Sequence, residues 1–589
     1  MTTKVVTITS LIENSKDDLV DNLLGIYERW SIQKISKEAE WDELRNYLFA
    51  TDTSTTTNSS LPWSNKTTIP KLTQIRDNLH ANYMDALFPN DNWLVWEGDS
   101  LEDNEVEKRR IIEQYVKNKA LSSGLRETIS QCLYDYIDYG NCFGEVIYVN
   151  ESHHDPVLKE QVTTYSGAKV LRISPLDIVF NPTASHFTKT PKFTRYLKSV
   201  AELKKEVLVR PDLQFDTEVF NKAIKLRREL AAYRREDLNK VKAYSVDGFG
   251  TLSEYLGSGL VEIIEFEGDW YDDNTDTLYE NRIITIMDRC HILRNIENPN
   301  WLGTDNKRHV GWRDRPDNLY AMGPLDNLVG MQYRLDHLEN LKADALDQTI
   351  NPPKKIMGDV EPFVWAPGAD IHVAEDGDVV PLPPNPAAFQ VNNEIAFLLQ
   401  LMEEMAGAPK EAMGFRTPGE KTMFEVQQLQ NAGARIFQNK INKFSILFLE
   451  PILNLFLEAS KRNMDVTDTV KVIDDDLGVA DFVQITRDDI TAKGKLRPVG
   501  ARHYAAQAQL MQNLTSIFNS PLGQMVAPDI SRKRLTKLVE ETMGLNKYGL
   551  FQTNAAVAEQ AETQGLINEH SRRLNTEQTV PLEENMIPQ

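Results

Sequence analysis

Gly323-Pro324-Leu325-Asp326-Asn327-Leu328 opens the stretch on which the fold turns, and that stretch runs to Glu458. From Pro324 to Thr349, Leu325, Leu328, Val329, Leu335, Leu338, Leu341 and Ala345 recur at helical spacing, with Asp336, Glu339, Lys342 and Asp347 between them. The pattern predicts a helix about 39 Å long at 1.5 Å per residue. Asn351-Pro352-Pro353 ends it, because proline lacks the N–H and constrains the residue before it. Pro362, Pro367, Pro381, Pro383, Pro384 and Pro386 then punctuate short apolar pieces, Phe363-Val364-Trp365 and Asp378-Val379-Val380. This reads as a small β-rich protrusion. A second helix carries Ile395, Leu398, Leu399, Met402 and Met405 on one face and stops at Ala406-Gly407-Ala408-Pro409. A Gly/Pro loop follows. A long amphipathic helix over 422–461 then steps through Phe437, Ile441, Phe444, Phe448, Ile452 and Leu455, with Pro451 inside the pattern as a kink.

This order of elements resembles that of bacteriophage portal proteins, the head-to-tail connectors. The residues carrying the resemblance are Gly323 to Leu328, Asp336-His337-Leu338-Glu339-Asn340, Gly414-Phe415-Arg416-Thr417-Pro418-Gly419-Glu420-Lys421-Thr422, and Glu450-Pro451-Ile452-Leu453. The resemblance implies an α+β, predominantly helical ring subunit with wing, stem helices, small β-rich clip and helical crown. On this chain it places an N-terminal helical extension at 1–60, a wing at 61–322 and a first stem helix at 323–350. The clip falls at 351–390, the second stem helix at 391–407 and a tunnel loop at 408–422. The kinked helix and return to the wing cover 423–497, and the crown 498–574. Asp336, Glu339, Lys342 and Asp347 become charged stem residues, and Phe363, Trp365, Asp370, Glu375 and Asp376 the clip surface that docks motor and adaptor. The implied function is a viral portal, a dodecamer at one capsid vertex through which double-stranded genomic DNA is packaged and ejected. The implied partners are major capsid and scaffolding proteins, terminase, and later tail adaptor proteins. The implied location is the virion, with the host cytoplasm during assembly.

The loop reads mechanically. Gly407, Gly414 and Gly419 supply hinges, while Pro409 and Pro418 limit the unfolded range. Lys410, Arg416 and Lys421 are candidates for phosphate contact in the channel, and Glu411 and Glu420 keep such contact weak. Gly414 to Thr422 also nearly spells a phosphate-binding loop. Glu420 between glycine and lysine displaces the lysine and repels phosphate, and no buried strand precedes it, so nucleotide binding is rejected.

At 589 residues the chain is long enough for several domains, and its 41% hydrophobic and 26% charged content suits a globular fold. The formal net charge of -22 opposes tight sequence-independent DNA binding, which rests on Lys and Arg neutralising phosphates. A negative channel wall would let DNA slide without being held. Cys132, Cys142 and Cys290 are too scattered for a disulfide framework or zinc cluster and read as reduced thiols. No signal-peptide core and no apolar run of about 18 residues is found, so no membrane partner is expected. Neither a Gly-x-Ser-x-Gly elbow, a His-Glu-x-x-His nor a Cys-x-x-Cys appears, and no cofactor or metal is expected. His153-His154 reads as a surface pair, and Asp474-Asp475-Asp476 and Asp488-Asp489 as solvated turns.

Elsewhere, residues 1–50 read as helical, Thr51 to Ser60 as an exposed loop, and the segment before Met84 as a helix. Helices are expected at Asp103 to Leu121 and Gly124 to Tyr139, then strands from Glu145 to Val149 and around Ser174-Pro175, with φ > 0 at Gly140 and Gly144. Trp63, Trp93 and Trp96 read as packing residues and Lys108-Arg109-Arg110 as a solvated helix face. Ala201 to Tyr244 reads as a salt-bridged surface helix that includes Arg227, and Leu260 to Phe266 with Arg282 to Met287 as strands around an acidic loop. Asn298 to Arg315 reads as irregular, and Asn575 to Gln589 as disordered. Two rival functions stay open at this point: an oligomeric tail adaptor or baseplate structural protein, and a DNA-processing enzyme. The portal reading makes the protein not an enzyme.

Overall fold

The computed structural model describes residues 18–61, 64–89, 93–99, 106–154, 161–209, 213–232, 259–272, 276–299, 305–358, 360–363, 371–373, 377–382, 390–406, 439–464, 468–473, 480–491 and 493–498. Over these residues the fold is mixed α+β, about half helix, with several small sheets. The expected crown, the disordered tail and the aspartates at 474–476 lie outside the described residues. Among the described residues no helix is long and apolar enough to cross a membrane.

In chain order, α1 (Asp18–Leu48) and α2 (Lys71–Leu87) precede β1 (Leu94–Gly98), α3 (Val106–Ser122) and α4 (Leu125–Asp138). Strands β2 (Asn141–His154), β3 (Gln161–Ile173), β4 (Ile178–Phe180) and β5 (Lys192–Ser199) lead to α5 (Val200–Val209) and α6 (Thr217–Ala232). Next come β6 (Leu260–Asp272), β7 (Thr277–Met287), β8 (His291–Glu297), β9 (Lys307–Gly311), β10 (Arg313–Arg315) and β11 (Asn318–Met322). Helix α7 (Val329–Ile350), strands β12 (Lys354–Met357) and β13 (Asp378–Pro381), and α8 (Val391–Met405) follow. After residues 439–444 (helical) and a π turn at Ser445–Leu449 come α9 (Glu450–Asn463), β14 (Asp468–Ile473), β15 (Ala480–Ile485), the single turn α10 (Arg487–Ile490) and β16 (Gly494–Pro498).

Strand alternation explains how these pieces stack. The sheet β3-β2-β9 turns Cys142, Gly144, Val146, Val170 and Val310 to one side, where α4, the helical residues 439–444, the π turn and α9 supply Cys132, Tyr136, Phe444, Phe448 and Ile452. Its other side carries Phe143 opposite His309 and Glu145 opposite Lys307. That side meets the sheet β4-β5-β6-β7-β8, whose far face packs Phe193, Ile264, Phe266, Ile284 and Ile286 onto Val20, Leu23, Leu24 and Tyr27 of α1. The N-terminal helix is thus part of the core, and its Trp41 and Leu44 reach two further clusters.

Between the sheets, aromatic packing at one end gives way to buried charge at the other. Phe143 stacks on His309 at 4.5 Å between ring centroids. Nearby, Lys307 donates to Glu267 at 2.8 Å and Glu265 at 3.1 Å, Arg294 donates to Glu265 at 2.5 Å, and Lys192 pairs with Asp305. Glu145 accepts from Tyr196 at 2.9 Å and from Asn306 at 2.8 Å. Burial alone would push the Lys307 ammonium down, but Glu267, Glu145 and Glu265 together hold it well above the ordinary lysine value.

Several expectations are corrected. Thr51 to Ser60 is not an exposed loop; it forms two 3-10 turns that bury Thr53, Thr56 and Asn58, with Tyr47 and Thr57 hydroxyls 2.5 Å apart. Gly140 takes φ +66, but Gly144 lies in β2 without positive φ. Its reason is closeness, since a Cβ there would sit 2.7 Å from the Phe448 ring. Asn298 to Arg315 contains β9 and β10; the sequence hides β9 because Lys307 is a buried charge on an inward face. Arg227 is buried rather than on a salt-bridged surface, bonded to Asp288 and to the Leu260 carbonyl. The strands around the acidic loop run further than expected, with Asp272 opposite Thr277. Cys132 and Cys142 are buried, whereas Cys290 is half-buried. Trp96 is buried, Trp93 packs on Phe88 at 5.0 Å, and Trp63 lies outside the described residues.

Lys307→Met should cost about 3–5 kcal/mol, because it leaves Glu267 as an uncompensated buried charge and Glu265 with Arg294 alone. Denaturant unfolding checks this, and a loss below about 1 kcal/mol would show that water reaches the seam.

Candidate assembly element

Helix α7 begins later than its apolar pattern suggests. Asp326 to Leu328 form a 3-10 turn, and the α-helix proper starts at Val329. Asp326 accepts the Gly323 N–H at 3.0 Å and pairs with Lys37 of α1 at 2.9 Å, so the entry to the helix is tied to the N-terminal helix. Gly140 and Gly323 meet back to back here, where a Cβ on Gly140 would lie 2.2 Å from the Gly323 nitrogen.

One face of α7 holds an extended strap, residues 64–69, by its backbone. Gln332 donates to the Ile69 carbonyl at 2.6 Å. Asp336 accepts the Ile69 N–H at 3.0 Å, the Thr68 hydroxyl at 2.8 Å and the Gln332 amide at 2.9 Å. Asn340 accepts the Thr67 N–H at 2.8 Å and donates to the Thr67 carbonyl at 2.7 Å. Asp344 accepts the Ser64 and Asn65 N–H groups at 3.1 and 3.0 Å, and Asp347 accepts the Asn65 side-chain amide at 2.8 Å. Steps of four, four, four and three residues keep these side chains on one stripe of a 3.6-residue helix. All but Asp347 satisfy a backbone group that an extended segment beside a helix cannot pair within itself.

The strap leads into α2, whose Lys71 forms a buried ion pair with Glu403 of α8. The second helix is anchored near its start by Ile395 and at its C-terminal end by Met402, Glu403 and Ala406. A more exposed pair, Arg334 to Glu394 at 3.3 Å, links α7 to α8 directly.

Away from these anchors the element is bare. On α7, Leu341, Leu346 and Ile350 are exposed, the last by 80%, and Phe397 on α8 is 62% exposed. Between the helices β12 and β13 pair antiparallel, Lys354 opposite Pro381 and Met357 opposite Asp378, with a bridge between Val360 and Val373. Ile356, Met357, Val373, Val380 and Leu382 of this hairpin are exposed too. Exposed apolar side chains thus recur on both helices and on the hairpin between them.

Of the residues singled out from sequence, Asp336 is buried against the strap, Asp347 bonds the strap, and Glu339 pairs with Lys342 at 2.7 Å on the same helix. Phe363 is half-buried with the Lys354 ammonium 5.6 Å from its ring centroid. Trp365, Asp370, Glu375 and Asp376 lie outside the described residues. So do Gly407, Lys410, Glu411, Gly414, Arg416, Gly419, Glu420 and Lys421. Gln332, Asp344, Lys71 and Glu403 are not among the sequence candidates, and Asn340 enters only within the string 336–340, although a polar stripe at 332, 336, 340, 344 and 347 is visible in the sequence as a helical period.

No protein-family model matches the chain, and no curated protein matches it.

Burial holds the Asp336 carboxyl above its ordinary value, against the donors from Ile69, Thr68 and Gln332. With the folded value raised, the native state binds the extra proton. The stabilising contribution is complete below the unfolded value of 3.8 and is lost as pH rises through the folded value. Wild type should therefore gain stability relative to Asp336→Asn as pH falls from neutral toward 4, read by denaturant midpoints; an unchanging gap would refute the assignment. Asp336→Ala should cost about 1–3 kcal/mol by orphaning the buried donors.

Proposed function

We propose that the chain is the subunit of a ring-forming viral portal, with α7 and α8 as stem helices and the β12–β13 hairpin as part of the clip. The observation that carries this reading is the helix–hairpin–helix element, anchored at its root and uncovered along Leu341, Leu346, Ile350, Phe397, Ile356 and Val380. In a closed ring each such surface meets a neighbouring copy, and the side chains leave water. Burying one large apolar side chain contributes about 1.5–3 kcal/mol, so a handful per subunit suffices to favour association. The polar strap and the Lys71–Glu403 pair then set the direction in which the element projects.

In this reading the ring is a dodecamer at one capsid vertex and passes double-stranded DNA inward and outward. The loop at 408–422 lines the passage, and the clip docks terminase first and tail adaptor proteins later. The net charge of -22 per chain supports a wall that repels DNA. The protein acts as a conduit, without catalysis of its own.

Native mass spectrometry with negative-stain imaging tests the reading. A closed ring of about twelve copies is expected, and a compact monomer or dimer at assembly concentrations would overturn it. Leu346→Asp with Phe397→Asp should give folded monomers by circular dichroism and sedimentation. Rings that persist would remove this surface from the interface.

A further inference from the structure

Where β9 ends, the chain gathers positive charge around one indole. Trp312 is buried, and the Lys440 ammonium lies 4.3 Å from its ring centroid while the Arg313 guanidinium lies at 5.4 Å. Lys440 donates to the Trp312 carbonyl at 2.6 Å. Lys443, one turn further along the helix, donates to the Gly311 carbonyl at 2.6 Å and pairs with Asp314 at 2.5 Å. Arg313 and Arg315 are exposed, and although their backbone pairs with β11, neither side chain makes a hydrogen bond or ion pair among the described residues. The carboxylates at hand are Asp314, already paired with Lys443, and Asp317 in the following turn. Burial, followed by Lys443 and Arg313, pushes the Lys440 ammonium below its ordinary value, with Asp314 pulling the other way.

This excess of cations stands out in a chain of net charge -22. Lys440 and Lys443 have a structural task, since they fix the turn at 311–314 onto the helix. Arg313 has none that requires a charge. Each lysine also keeps ammonium protons beyond those used on the carbonyls, because an ammonium carries three donors. A guanidinium and two ammonium groups held on one indole and one turn form a preorganised site for a phosphate oxygen.

We propose that Arg313, Lys440 and Lys443 form a contact for the phosphate backbone of duplex DNA. The proposal rests on the reading that the ring passes DNA. The contact is distinct from the loop cations Lys410, Arg416 and Lys421, which lie outside the described residues. The sequence masks the site, since Arg313 and Lys440 are far apart in the chain and neither belongs to a basic run.

The test uses the assembled protein and a short labelled duplex, read by fluorescence anisotropy over a salt series. Arg313→Glu, with Arg313→Gln as the milder companion, leaves the lysine clamp in place. Both should weaken binding, and the slope of log K against log salt should become shallower by about one for each phosphate that is no longer neutralised. Native mass spectrometry on the same samples separates two failures. Rings that form while affinity and slope stay unchanged overturn the DNA contact and leave the ring reading standing. Absence of rings in the wild type overturns the reading underneath. Polyglutamate that binds the wild type more tightly than the duplex does, and loses that binding in Arg313→Glu, overturns the proposal in favour of an acidic protein partner.

Discussion

Lys307 lies between two sheets with no route to water, and its ammonium answers Glu265 and Glu267 on one side and the field of Glu145 on the other. An apolar seam would slide at small cost, because dispersion contacts are non-directional. A seam of directed, charge-assisted hydrogen bonds has few alternative registers, and any displacement leaves a buried charge unpaired. The alignment of the three-stranded sheet with the five-stranded one therefore depends on this cluster, together with the Phe143 and His309 stack beside it. Everything else is referred to that frame: α1 on its far face, and α4, the π turn and α9 on its near face.

The projecting element obeys the same logic in milder form. Its root is polar and specified, with Asp336, Asn340 and Asp344 accepting backbone N–H groups and Lys71 meeting Glu403. Its outer length carries exposed apolar side chains, among them Leu346, Ile350 and Phe397. Polar satisfaction at the root sets direction, and in the proposed ring the apolar area further out would supply the energy of association.

The helix pair and its hairpin were legible in the sequence because Leu335 and Leu338, then Ile395 and Met402, keep a helical period and the prolines mark the interruption. The strap was not. Its hydrogen bonds are made by backbone, and its acceptors, Asp336 and Asn340, look like any solvent-facing polar residue until the partner segment, some 270 positions earlier, is placed beside them. Strand β9 was hidden for a related reason, since Lys307 and His309 face inward where alternation would call for apolar side chains. Gly144 shows the limit of reading glycine as a turn, because there it makes room for Phe448. The residues assigned to the passage, Lys410 to Lys421, fall outside the described residues, so their assignment stands on sequence alone.

The π turn at Ser445–Leu449 is separated from Pro451 by Glu450 alone. Proline offers no N–H to the preceding turn, and a π turn is one way a helix absorbs that gap. It inserts one residue, and each residue of an α-helix turns the chain by about 100°. That extra residue sets the phase between two halves of one rod: Ile452 and Phe456 downstream stay against the sheet, while Lys440 and Lys443 upstream are swung to the turn at 311–314. Shortening the rod by a single residue there would straighten the helix yet rotate its upstream half away from the indole, so the azimuth of the cations is written in the length of the π turn.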